Sequence, residues 1–233
     1  MAINRGHYET AKLLLDAGVN PAVCKSTGET PLYIVTQRGH AHLIPLLIKM
    51  RADPNAKSYI RPKMIALSPW QGERRPRSSI GFRAGGDGLI SAIDDDIEAP
   101  LHHASLHGKT ACVNTLLSMG ADVNVRSSLG ATPLHKALEG YKMDIVKILL
   151  EHGADANVPL LHGRTPLPYA AAQGEVATTR LLLRHGVNPL LRDFVGQAPY
   201  DIAKRYGTQE LVDILDPSKY PHFSAPKNLQ PFS

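Results

Sequence analysis

His103 and His107 stand four residues apart, with His102 beside them, in a chain that holds 11 histidines. On a helix that spacing sets two imidazoles on one face, where both can reach a single metal ion. A catalytic zinc needs a third protein ligand, and none follows from the spacing of the remaining residues. No nucleophile with a base and an orienting group stands at recognisable spacing either, and no P-loop or dinucleotide fingerprint is present. Gly85-Gly86-Asp87-Gly88 is glycine-rich, yet it lacks the lysine and helix of a phosphate cradle and reads as a flexible turn. Catalysis is therefore not expected, and no cofactor is implied. A histidine-based, metal-dependent enzyme stays as an alternative, to be dismissed by a zinc titration that yields no heat.

A second candidate is Arg74-Arg75-Pro76-Arg77-Ser78-Ser79. It reads as a solvated linker, or as a basic docking segment whose Ser78 or Ser79 a basophilic kinase modifies, reversing the local charge. Between residues 57 and 95, seven Lys or Arg face four Asp or Glu, so this stretch supplies +3 of the formal net charge of +5. The rest of the chain is close to neutral, which does not suggest nucleic-acid binding outside that segment. Binding of nucleic acid or an anionic surface through 57–95 is the other alternative.

The elements that must position these residues follow a period. Prolines recur at Pro100, Pro133, Pro166 and Pro199, a spacing of 33. Units this short cannot bury their own apolar faces and must borrow a neighbour, so the period predicts a stacked array. In the unit from Leu129 to Leu161, Gly130 permits a left-handed turn, Thr132 is placed to cap a helix, and Pro133 fits its first position. Leu134, Ala137 and Leu138 give the buried stripe of a first helix that ends near Gly140. Ile145, Ile148, Leu149 and Leu150 give a second helix, closed by Gly153 in the left-handed region. Ala154, Asp155 and Asn157 supply turn chemistry.

These residues resemble the ankyrin repeat, whose pattern G-x-TPLH-x-A, a second helix ending in LL, then GAD-x-N they match almost letter by letter. Leu101, His102, Gly120, Ala121, Asp122 and Asn124 repeat it one unit earlier; Thr165, Pro166, Leu167, Ala170, Leu182, Leu183 and Gly186 repeat it one unit later. The resemblance implies an all-α solenoid of helix-turn-helix units with hairpin finger loops, acting as a protein-interaction scaffold or adaptor. It places His102 and His135 in the TPLH signature, hydrogen-bonded around the threonine and the neighbouring turn. A partner would lie on the concave face, where the family's positions correspond to His103, Leu106, His107, Lys136, Glu139, Tyr169, Gln173, Arg205 and Tyr206, with Arg126, Arg164, Phe194 and Gln197 near the turns. Tyr169, Arg205, Tyr206 and Phe194 are the leading contacts, being of types that anchor interfaces. Asn124 and Asn157 occupy the hairpin asparagine that asparaginyl hydroxylases of this family's members modify; their default role is turn geometry.

Taken in order, residues 1–56 hold a partial repeat and one full repeat. The first unit's proline falls before Met1, so the chain is expected to open part-way through a repeat with an uncovered apolar edge. In the second unit Pro45 interrupts a helix, at about 3 kcal/mol unless the helix kinks, and Arg51 stands where a left-handed glycine is expected. Residues 57–95 lose the pattern: Met64 occupies the proline position, Pro69 would break a helix, and the register resumes three residues late. Looping this segment out lets 27–56 stack on the unit that begins at Asp96, at little closure cost; the alternative is a degenerate repeat. Residues 96–216 give three repeats and a C-terminal cap, and 217–233 an extended proline-containing tail with no recognisable SOCS-box pattern. Cys24 and Cys112 are too few for a disulfide framework and fit a reducing compartment. No apolar run is long enough for a membrane span or signal sequence. The expected state is a monomer in the cytoplasm or nucleus.

Overall fold

The computed structural model describes residues 2–20, 28–59, 97–160 and 163–223. The expectations for Cys24, for Ser78 and Ser79, for the basic and glycine-rich segments, and for the end of the tail lie outside them. Among the described residues six helix pairs follow one another: α1 Ala2–Arg5 with α2 Tyr8–Asp16, α3 Pro31–Arg38 with α4 Ile44–Lys49, and α5 Pro100–Leu106 with α6 Thr110–Ser118. Then come α7 Pro133–Glu139 with α8 Met143–Glu151, α9 Pro166–Gln173 with α10 Val176–Arg184, and α11 Pro199–Tyr206 with α12 Gln209–Ile214. The only strands among the described residues are β1 Ser58–Tyr59 and β2 Ile97–Glu98, antiparallel with Ser58 opposite Glu98. No described helix is long and apolar enough to cross a membrane.

Each odd-numbered helix from α3 onwards starts on its proline, preceded by a residue in extended conformation. That position needs no amide donor, so the ring costs nothing there. The helices are too short to persist alone; stacking holds them. First helices pack on first helices from α1 through α11, and second helices form a parallel layer behind them. Val35, Ala104, Ala137, Ala170 and Ala203 are fully buried between the first helices, small enough for close approach. Leu101, Leu116, Leu134, Leu138, Leu149 and Leu167 are sealed in one continuous ribbon-shaped core, each burial stabilising by roughly 1.5–3 kcal/mol.

An asparagine ladder ties the turns together. Asn55 Oδ1 accepts from the Asp122 amide at 2.8 Å, Asn124 Oδ1 from Asp155 at 2.8 Å, and Asn157 Oδ1 from Asn188 at 2.8 Å. Asn124 and Asn157 also donate to the Gly153 and Gly186 carbonyls. Each asparagine thus bridges its own unit to the next, and the unit of residues 28–59 sits directly on the one that begins at β2.

Local departures have physical causes. Pro45 does not break a helix interior: Ala41–Leu43 form a 3-10 turn, and α4 begins at Ile44, which puts the proline in its first turn. Arg51 does adopt φ +70°, the left-handed strain expected of a non-glycine cap. Thr132 stands at the N-cap, but its hydroxyl meets His135 Nδ1 at 2.9 Å instead of capping an amide. The tail does not begin extended. Pro217–Lys219 form a 3-10 turn from which Lys219 Nζ and Tyr220 Oη cap the Asp213 and Ile214 carbonyls.

Candidate functional site

The signature histidines are structural. The Ala99 amide donates to His102 Nδ1 at 3.2 Å, and His102 Nε2 bonds the Ala131 carbonyl of the next unit at 2.9 Å. His135 receives the Thr132 amide in the same way, but its Nε2 approaches the Arg164 carbonyl outside hydrogen-bond geometry. Burial holds the His135 pKa down at about 3, so it stays neutral.

His103 is half-buried, not a free surface imidazole. Its Nδ1 hydrogen-bonds the Tyr33 hydroxyl at 3.0 Å, and its ring lies 5.1 Å from Tyr33 and 4.2 Å from His107. Tyr33 occupies in α3 the position that His102 holds in α5, which is how it reaches across. Burial, then the nearby His107 and Lys109, lower the His103 pKa to about 4. His107 is exposed at the turn after α5; desolvation and the neighbouring Lys109 and Lys142 lower its pKa, while Glu139 opposes them. Among the described residues no group of three or more His, Cys, Asp or Glu could hold a metal ion. Cys112 is buried and its thiol is pushed up by desolvation, which leaves it inert.

Several residues assigned to a partner are occupied within the array. Lys136 pairs with the buried Glu98 and, at 3.7 Å, with Glu139. Arg126 donates to the Pro159 carbonyl at 2.7 Å. Arg164 binds the buried Asp193 at 3.1 Å, and Asp193 Oδ1 accepts the Val195 and Gln197 amides, shaping the last finger. Gln173 Nε2 donates to the Leu138 carbonyl at 2.7 Å. Tyr169 is half-buried edge-on to His135, and its pKa is raised by desolvation and then by Glu139. Leu106 is half-buried.

The exposed contacts concentrate in the last units. Tyr206 is 64% exposed with the Arg205 guanidinium 5.8 Å from its ring centre, and Val195 at the finger tip is 78% exposed beside Phe194. Val195 was missed by sequence reasoning, although it stands next to Phe194 in the same turn. Glu98 was missed because the register is lost before it. Tyr141, with φ +56°, was legible: Gly39, Gly108 and Gly174 hold that place in other units.

Helix pairs stacked in two layers, with a hairpin turn leading into each pair, define a helical repeat solenoid. Models described as ankyrin repeats match residues 1–48 and 101–193, together well over half of the chain, and the chain belongs to the ankyrin repeat family. Ankyrin repeats are generally protein-interaction modules. The chain is also 27% identical over 150 residues to a probable E3 ubiquitin-protein ligase, XBOS32, of Oryza sativa subsp. japonica. That match covers 52% of this chain but 30% of the relative's length.

Proposed function

We propose that the array is a non-catalytic scaffold that holds a partner polypeptide along its first helices and finger tips. The observation that supports this most is the exposure of Tyr206, Val195 and Phe194 on units whose cores are otherwise closed. Aromatic and apolar groups left in water beside Arg205 are the kind of anchor that dominates interface energy. The monomeric state and a cytoplasmic or nuclear location belong to the same reading. Asn124 and Asn157 serve turn geometry first, since both amide groups are engaged; modification would have to break those bonds.

The test is affinity capture with the full chain, followed by a binding titration with the purified partner. Tyr206→Ala with Val195→Asp should weaken binding at least tenfold and leave the melting temperature nearly unchanged. Unchanged affinity would overturn the reading. A second reading is favoured by the rice relative: the array holds the substrate of a ubiquitin-transfer assembly. Ubiquitin conjugates on the captured partner, lost with the same double variant, would support it; their absence in a reconstituted reaction would set it aside.

A further inference from the structure

The edge of the array opposite the fingers, where each first helix turns into its second, carries a row of cations. Lys109 crosses the turn of the preceding unit, with Nζ 3.8 Å from where a Cβ on Gly39 would stand. Lys142 crosses the next one, with Cδ 3.1 Å from the same point on Gly108. Arg38 lies beside Gly39, and His107 beside Gly108. Neither Arg38, Lys109 nor Lys142 makes an ion pair among the described residues. Glu175 occupies the equivalent of Lys142 one unit later, so the row ends at Lys142 on that side. The acidic groups near it are Glu139 and Asp144, both exposed; Asp144 lines the same cleft as His107, Tyr141 and Lys142.

At the end of this row, beside Lys142, stands a strained residue. Tyr141 is held at φ +56° and is 45% exposed, where the neighbouring units use glycine. A tyrosine in the left-handed region costs stability and gains no burial in return, and such outliers cluster where a site uses the side chain.

We propose that this turn edge binds an extended acidic polypeptide segment, its carboxylates meeting Arg38, Lys109 and Lys142 and its backbone or a side chain resting on Tyr141. Helix layers spaced about 10 Å apart set the three turns across roughly 20 Å, the reach of about six or seven extended residues. Nucleic acid fits less well. A duplex fixes its phosphates on a rigid frame, one charge per about 1.7 Å of axis, and cannot turn them away from Glu139 and Asp144 as a flexible peptide can turn its intervening carboxylates. Tyr141 and the three cations lie two or more units away from Tyr206 and the finger tip at Phe194 and Val195, so either surface can fail without the other.

Fluorescence anisotropy with fluorescein-labelled octaglutamate tests it on the full chain, with octalysine and a single-stranded 12-nucleotide DNA as controls. The wild type should bind octaglutamate at 50 mM salt and weaken severalfold at 300 mM. Lys109→Glu with Lys142→Glu should lose at least tenfold. Lys109→Gln with Lys142→Gln keeps much of each stem in place and should lose about half as much on a logarithmic scale, which guards against a folding defect. Tyr141→Gly should weaken binding severalfold while raising the melting temperature, a combination that a merely structural tyrosine would not give. Tyr206→Ala should bind as wild type does. No binding of octaglutamate, tighter binding of the DNA, or insensitivity to both lysine pairs would overturn the proposal.

Discussion

Between α5 and α7 the helix ends meet backbone to backbone: a Cβ on Gly140 would stand 2.1 Å from the Leu106 carbonyl oxygen. At the other end of the same junction, His102 Nε2 closes a 2.9 Å bond to the Ala131 carbonyl. Between α7 and α9 the position of Gly140 is taken by Gln173, whose amide bridges to the Leu138 carbonyl at 2.7 Å. There the second signature histidine falls short of its carbonyl, and both His135 Nε2 and Gln173 Oε1 are left buried without a partner. The same two positions thus build a tight junction and a looser one. The junction that carries a side chain at this position is the one that leaves buried polar atoms unsatisfied. Glycine at this site serves close approach, since its own φ is −82° and any residue could adopt it.

The comparison breaks most readily at Gly140. Gly140→Ala drives a methyl into backbone that cannot rotate away, and the expected loss is about 3 kcal/mol in urea denaturation. A loss below about 1 kcal/mol would mean that α5 and α7 do not approach this closely. Next comes the histidine pair. His102→Ala strands the buried Ala99 amide and removes the bond to Ala131, costing about 2 kcal/mol. His135→Ala should cost about 1 kcal/mol less, because one of the ring nitrogens it removes was already unsatisfied. If the two variants fell in the reverse order, the α7–α9 junction would not be the looser one.

Much of this was legible in the residues, for reasons that lie in the backbone. A proline at a helix start, a glycine that must turn left at Gly130 or Gly153, and a leucine pair that must be covered each restrict the chain locally, so residue type reveals conformation. Arg51 was readable as strain by the same logic. What stayed hidden depends on neighbours one unit away. Lys136, Arg126, Arg164 and Gln173 look free in a single repeat, but their partners Glu98, Pro159, Asp193 and Leu138 arrive from adjacent units. His103 looked exposed because nothing in its own helix covers it. The cover is Tyr33, which lies across a stretch where the period fails. The candidate groove therefore shrinks towards Arg205, Tyr206 and the finger tip at Phe194 and Val195.

A smaller effect sharpens the comparison by extending the ladder. Pro168 stands in α9 where α5 and α7 carry histidine, and the Thr165 hydroxyl is left buried without the partner that Thr132 has. Pro168→His should give Thr165 that partner and point Nε2 at the Gln197 carbonyl, 29 residues on, as His102 does to Ala131. The expected gain is about 1 kcal/mol. A loss would show that α9 and α11 stand too far apart for the ladder to close.

The response to acid probes the α3–α5 junction as well, and its sign follows from linkage. His103 and His135 titrate in the folded chain at about 4 and about 3, below the ordinary histidine value of about 6.5. Between those limits the unfolded chain binds more protons than the folded one, so stability rises with pH across that window and is lost as pH falls from about 6.5 towards 4. Above about 6.5 neither imidazole contributes a slope. The melting temperature should drop by about 2 °C or more between pH 7 and pH 5. His103→Gln removes one of the two groups and should flatten that drop in part, because the Tyr33 junction then carries no proton-binding group. If His103→Gln left the acid slope unchanged, the Tyr33 contact would not be what shields that imidazole.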